Sequence, residues 1–273
     1  MGAEQNFDLK LAGLRATGKA FAVATVVRTL EATSAKPGAK ALVAADGTIL
    51  AGWVGGGCVR GAIGRAAREA VEDGQTRFIS LRPEEVLDAE GVAAGEERAG
   101  VKFARNGCPS KGSMDIFIEP VLPQPVLQVC GSGPVALALV TLGKGFDFDL
   151  RLAAPGLETA PETVAHAESF AFDTQSDADR YVVVATQGKG DEAALRAALN
   201  AGGGAYVAFV GSRRKFATLR ARLEADGVAP EALDDVRAPA GLDIKAITPD
   251  EIALSILAEI VGVRRGGQRE HAK

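Results

Sequence analysis

The chain has 273 residues, 47% hydrophobic and 24% charged, with a formal charge of −4. That balance supports packed cores, excludes disorder, and lacks the general basic footprint of a nucleic-acid binder. No apolar run reaches membrane-spanning length and the first residues lack a signal-peptide core, so a cytoplasmic chain with no membrane association is expected.

Leu9, Leu11 and Leu14 predict a short opening helix. Residues 21–29 form a Val-rich apolar run, typical of a buried strand, and residues 30–38 read as a loop broken by Pro37-Gly38. Residues 39–45 and 48–54 flank Asp46-Gly47, a strong hairpin signal. The second of these runs into Gly55-Gly56-Gly57-Cys58. After it Ala62, Ile63, Ala66, Ala67, Ala70 and Val71 recur at helical spacing, closing near Asp73-Gly74. The cysteine therefore sits where strand turns into helix. Bare glycine amides and the positive end of a helix can hold an anion there, and the same field favours the thiolate of a cysteine. The competing reading is a tight connection enclosing a small buried residue.

A strand is predicted at 77–81, a helix at 83–89, and a charged, glycine-punctuated loop at 91–100. Asn106-Gly107-Cys108-Pro109-Ser110-Lys111-Gly112 is a loop by composition, feeding an alternating strand at 114–119. Lys111 gives Cys108 a thiolate-favouring neighbour; an ordinary loop cysteine is the alternative. Three prolines in residues 120–125 predict a stiff connector and a domain boundary, giving domains 1–122 and 123–273.

Residues 126–130 read as a buried strand, with Cys130 in the core. Gly131-Ser132-Gly133-Pro134-Val135-Ala136 then opens a helix, matching the G-x-G-x-x-A phosphate turn of Rossmann domains. The following strand, 149–153, ends in Ala154-Pro155-Gly156, without the acid that holds a ribose, so NAD or NADP is disfavoured. A strand at 181–186 leads into Gln187-Gly188-Lys189-Gly190-Asp191, and a helix is predicted at 192–199. A strand at 205–210 leads into Gly211-Ser212-Arg213-Arg214-Lys215, which opens a helix and suits a phosphate, with a solvated basic turn as the alternative. Thr248-Pro249-Asp250-Glu251 caps a helix over 247–263, followed by a polar, frayed tail. Alternating strand and helix from Val126 argues for a parallel sheet; the first half reads as α+β or α/β. Three cysteines cannot all pair and form no Cys-x-x-Cys, and only His166 and His271 are present, so free thiols are expected and a His-rich metal site is excluded.

Several stretches together resemble the XdhC/CoxI/CoxF family of molybdenum-hydroxylase maturation factors. They are Val27-Arg28-Thr29, Pro37-Gly38-Ala39-Lys40, Gly55-Gly56-Gly57-Cys58 and the Cys108 loop with Phe117-Ile118-Glu119-Pro120. Gly131-Ser132-Gly133, Gly211-Ser212-Arg213-Arg214-Lys215, Gly241-Leu242-Asp243-Ile244 and Thr248-Pro249-Asp250-Glu251-Ile252 continue the match in order. The resemblance implies an N-terminal XdhC/CoxI-type domain followed by a Rossmann-like domain. It also implies binding of molybdenum cofactor, help with its sulfuration, and delivery to an apo-enzyme such as xanthine or carbon monoxide dehydrogenase. Ala154-Pro155-Gly156 stands where the family often has Asp-Pro-Arg, Thr186-Gln187 where it has Thr-His, and Cys108-Pro109-Ser110 where it has Cys-Gly-Gly. These departures resemble the CoxF-like branch.

The combined reading is a cofactor chaperone rather than an enzyme with turnover of its own. Cys58 and Cys108 would ligate molybdenum or copper, or carry sulfur, as soft thiolates do. The Gly55, Gly56 and Gly57 amides and Lys111 would hold the anionic cofactor. Gly131, Ser132, Gly133, Gln187, Gly188, Arg213, Arg214 and Lys215 would hold a phosphate-bearing ligand, either the cofactor's nucleotide form or FAD. Expected partners are a molybdenum hydroxylase apo-enzyme and a cysteine desulfurase or other sulfur donor, with a homodimer plausible. The rival is a flavin- or nicotinamide-dependent oxidoreductase acting in cofactor assembly.

Overall fold

In a computed structural model of the chain, residues 3–31, 33–107, 111–157, 161 and 164–270 are described. They fall into two units, Met1–Pro123 and Gln124–Lys273.

The first unit runs α1 (Ala3–Ala16), β1 (Phe21–Leu30), β2 (Lys40–Ala44), β3 (Ile49–Gly52), α2 (Gly57–Asp73), β4 (Arg77–Arg82), α3 (Glu84–Glu90), β5 (Glu97–Arg98), β6 (Val101–Arg105) and β7 (Ser113–Val121). The strands form one sheet in the order β3-β2-β1-β7-β4-β6-β5. All neighbours are antiparallel except β4 and β6, so this is a mixed α/β unit. One face is covered by α2. Ile63, Ala66, Ala67 and Ala70 pack on Ala22, Ala24, Val26, Ile79, Leu81, Ile116 and Ile118, the alternate residues of three strands. The small alanines let the helix lie close: a Cβ on Gly64 would stand 2.7 Å from the Gly47 carbonyl of the β2–β3 turn.

Two expectations for this unit are corrected. The region read as loop at 91–100 contains β5, and β6 follows it. β6 carries Lys102 and Arg105 among its five residues, which hides its alternation. Pro120 and Val121, read as linker, belong to β7 and pair with Ala22 and Phe21. Pro120 is tolerated because β4 pairs only with residues 114–118, so the missing N–H lies beyond the ladder on that side.

The second unit runs β8 (Val126–Cys130), α4 (Pro134–Gly143), β9 (Asp149–Ala153), β10 (Ala165–Ala167), β11 (Arg180–Val184), α5 (Asp191–Asn200), β12 (Tyr206–Phe209), α6 (Arg213–Ala225), α7 (Pro230–Asp234) and α8 (Pro249–Glu270). The sheet is parallel throughout, in the Rossmann order β10-β9-β8-β11-β12. Residues of β11 alternate between two cores. Tyr181 and Val183 face α4 and α8, whereas Val182 and Val184 face α5, α6 and α7. Cys130 is buried in the second of these cores, and burial pushes its thiol up to about 12.

The tail beyond residue 263, read as frayed, is helical to Glu270. Arg264 accounts for part of this, donating to the Asp147 carbonyl at 3.1 Å and lying over the Phe148 ring at 4.9 Å. The predicted cap of α8 is present: Glu251 N donates to Thr248 Oγ1 at 3.3 Å, and Thr248 N to Glu251 Oε2 at 2.9 Å. Among the described residues no helix is long and apolar enough to cross a membrane.

Candidate functional site

In the first unit the topology brings the carboxyl ends of β1, β3, β4 and β6 to one edge of the sheet. The glycine turn leaves β3 at that edge. Gly55 is buried at φ +126°, a conformation open to glycine, and a Cβ there would stand 3.1 Å from Val59 Cγ2. Gly56 caps α2 without a side-chain hydrogen bond. A Cβ on Gly56 or Gly57 would meet nothing within 4 Å. The first-turn amides of a helix have no intrahelical acceptor and carry partial positive charge, so the start of α2 presents donors to open space. Cys58 is the second residue of α2 and is exposed. The competing reading of a small buried residue is thereby overturned.

The loop after β6 comes to this thiol. A Cβ built on Gly107 would stand 3.4 Å from Cys58 Sγ. Asn106 anchors that loop: its backbone N–H donates to Arg82 O at 2.7 Å and its Nδ2 to Gly112 O at 2.6 Å. Cys108, Pro109 and Ser110 lie outside the described residues. Lys111, at φ +52°, pairs with Glu85 at 2.5 Å, so the ammonium assigned to an anionic cofactor is held by a carboxylate of α3.

A polar cluster occupies the opposite face of the same sheet and went unnoticed in the sequence. Asp115 is buried. It accepts from Ser80 Oγ at 2.8 Å, Arg82 Nη1 at 2.8 Å and Arg28 Nε at 2.6 Å. Burial pushes its carboxyl up, but the hydrogen bonds from Arg82, Ser80 and Arg28 and the Arg82 charge outweigh burial and hold it below the ordinary value. A bulge places Arg28 there. The β1–β7 register slips between Val26 and Arg28, so Val27 is extra and Arg28 faces away from α2, while Val26 faces toward it. The alternation of this strand puts Asp115 on the face away from Met114, Ile116 and Ile118, an ordinary position for a polar residue, so nothing in the sequence marks its burial.

In the second unit Gly131, at φ +124°, lets β8 approach β11. A Cβ there would collide with the Ala185 carbonyl and stand 2.9 Å from Thr186 Cα. Its own N–H donates to Ala153 O at 2.8 Å. The Gly131 amide is therefore engaged within the sheet. Ser132 is exposed, and Gly133 is the N-cap of α4. Gln187 lies against Gly133, where a Cβ would stand 2.6 Å from Gln187 Cδ.

Asp191 organises the next loop. It accepts from Thr186 Oγ1, from Gly188 N at 2.9 Å and from Lys215 Nζ at 2.6 Å. Burial opposes its ionisation, but the Lys215, Thr186 and Gly188 contacts hold its carboxyl low. The Gly188 amide and the Lys215 ammonium are thus engaged within the protein. Arg213 and Arg214 stay exposed. A groove of about 580 Å³ opens here between the starts of α5 and α6, lined by Gly188, Ser212, Arg214, Lys215 and Arg222. At the end of β9 the expected carboxylate is missing from the strand, but Glu168, just past β10, accepts from Gly156 N at 2.8 Å. Among the described residues no group of three or more His, Cys, Asp or Glu side chains is placed to hold a metal ion.

Comparison with known proteins matches both units. The model of the XdhC and CoxI family covers residues 14–82, and that of the XdhC Rossmann domain covers residues 127–260. The uncharacterized protein YqeB of Escherichia coli (strain K12) is 30% identical over 259 residues, covering 89% of this chain and 43% of YqeB. The chain thus spans less than half the length of that relative. A crystal structure described as a xanthine dehydrogenase from Bacillus halodurans covers 95% of this chain and 96% of its own, at 17% identity and a TM-score of 0.43. With the two family models matching in order along the two units, the chain belongs to the XdhC and CoxI family.

Proposed function

We propose that this protein is a maturation factor for a molybdenum hydroxylase, working in the cytoplasm, which binds molybdenum cofactor as transient cargo and assists its sulfuration and insertion. Family membership supports the maturation role. The observation that carries the site assignment is the exposed Cys58 thiol at the start of α2, beside unobstructed Gly56 and Gly57 and in contact range of the Gly107 loop. A soft sulfur donor next to unpaired helix amides suits a cargo that combines a thiophilic metal with anionic groups.

In this reading Cys58 ligates the metal or carries sulfur, and the first-turn amides of α2 hold the anionic part. Cys108, one residue beyond Gly107, is the proposed second thiol. Sulfur arrives from a cysteine desulfurase or comparable donor, and the client is the hydroxylase apo-enzyme. The exposed Arg214 and Arg222 of the groove between α5 and α6 are proposed to take the phosphate of a nucleotide, whether the cofactor's own nucleotide form or FAD.

The test is Cys58→Ala in the full chain. The variant keeps the far-ultraviolet circular dichroism of the parent, loses equilibrium binding of molybdenum cofactor, and fails to restore activity to the client hydroxylase. Full client activity with this variant would falsify the assignment.

A further inference from the structure

A second concavity of the first unit lies between α1 and the β2–β3 hairpin, with a volume of about 640 Å³. Its size falls in the range of small-molecule clefts, roughly 300–1,000 Å³. Phe7 of α1 and Trp53, just past β3, are its two aromatic lining residues. Between them the wall is made of small residues, Ala51 and Gly52 among them, which present almost no side chain. The wall is rigid. Trp53 N donates to Lys40 O at 3.0 Å, and Gly52 packs so tightly on that carbonyl that a Cβ would collide with it. Trp53 is 56% exposed, so its indole is open to the groove and to solvent.

The polar side chains at this groove are Asn6, Asp8, Lys10 and Lys40, all exposed. Among the described residues neither lysine has an ion-pair partner within reach. A flat wall with two aromatic side chains suits a planar heterocycle, because aromatic stacking accepts any base with a π face. Two ammonium groups suit a phosphate, and a carboxylate accepts from ribose hydroxyls as acids do in dinucleotide sites.

We infer that the groove between α1 and the β2–β3 hairpin is a mononucleotide site. Its base stacks at Phe7 and Trp53, its ribose meets Asp8, and its phosphate meets Lys10 and Lys40. The groove lies at the same edge of the sheet as Cys58 but shares no lining residue with the Gly55–Cys58 turn or with the groove between α5 and α6, and it does not depend on the maturation role.

Trp53 is the single tryptophan of the chain and so reports on its own pocket. The full-length protein is titrated with AMP, with GMP and with inorganic phosphate while Trp53 emission is followed. At least one nucleotide is expected to quench it saturably, and inorganic phosphate is not. Lys10→Ala with Lys40→Ala is expected to weaken that binding by about tenfold or more. If the double variant does not fold, Lys10→Gln alone, on the exposed side of α1, carries the same comparison. Absence of saturable change with both nucleotides at millimolar concentration overturns the inference. So does an equal response to phosphate, or unchanged nucleotide affinity in the folded lysine variants.

Discussion

Asp115→Asn separates charge from shape in the buried cluster of the first unit. The wild-type carboxylate receives Ser80, Arg82 and Arg28, with side-chain exposures of 4% for Asp115 and 8% for Arg82. Asparagine keeps the volume and one acceptor but leaves the Arg82 guanidinium, among the described residues, with only Glu90, at 3.9 Å from Nε, as its anionic partner. Removing one member of a buried pair costs about 3–5 kcal/mol, because the other charge stays desolvated. For a unit of this size that lowers the melting temperature by about 10–20 °C. Differential scanning calorimetry of the full chain reads the shift directly.

Two controls sharpen the argument. Ser80→Ala removes a neutral donor and should cost only about 1 kcal/mol. Arg82→Met combined with Asp115→Leu removes both buried charges, and its loss should fall well below the sum of the single losses. The pH profile adds an independent readout. The folded carboxyl lies below its unfolded value of about 3.9, so its contribution is complete above that pH and drains as pH falls through the folded value. The gap between wild type and Asp115→Asn should therefore close in acid. A change under about 1 kcal/mol at neutral pH would show that the cluster is hydrated and that the burial argument is wrong.

Gly131→Ala should cost about 2–5 kcal/mol in denaturant unfolding, summing the strain at φ +124° and the collision with Ala185, while Gly188→Ala, at φ +94° with open space, bears the backbone strain alone. An equal cost at both positions would refute the close-approach account of β8 and β11. A thiol reagent followed by peptide mapping should modify Cys58 rapidly in the folded protein and spare Cys130 until unfolding, since Cys130 is fully buried with its thiol pushed up to about 12. Equal rates would contradict the burial of β8.

In the second unit β8, β11 and β12 were legible because each is a buried apolar run leading into a glycine loop, whereas β10, with no buried residue, and the five-residue α7 were not read. Buried parallel strands require that composition, and the helices between them declare themselves through Pro134, Ser212 and Thr248. Its ligand groups were less legible. Gly131, Gly188 and Lys215 all match a phosphate-binding pattern, yet both amides and one donor of the Lys215 ammonium are engaged by Ala153 and Asp191. Sequence shows that a donor exists but not which acceptor reaches it first. In the first unit β6 escaped notice because Lys102 faces Glu69 of α2 and Arg105 faces Glu84, so its charges are tertiary partners rather than loop markers. The Arg28–Asp115 contact was beyond reach for a different reason. Without the extra residue Val27, period-two alternation would place Arg28 on the α2 face with Val26, and no propensity announces the bulge.

The two described cysteines show what position does to one chemical group. Cys130 ends a strand whose five residues are all buried, and the sheet continues past it through Ala185 N, which donates to its carbonyl at 2.8 Å. It is fully buried in an apolar cluster, so its thiol behaves as a small apolar side chain. Cys58 follows three glycines at the opposite kind of junction, where a strand has ended and a helix has not yet satisfied its own amides. Glycine leaves those amides uncovered, and the helix axis directs their partial charge outward. The sheet topology then brings the Gly107 loop to the same thiol from 49 positions further along the chain, 107 − 58. A long-range contact onto an exposed sulfur contributes little to a core that already closes beneath it through Val59, Ala62 and Ile63. The convergence therefore adds little to stability, which is what the cargo-binding role proposed for this thiol requires of it.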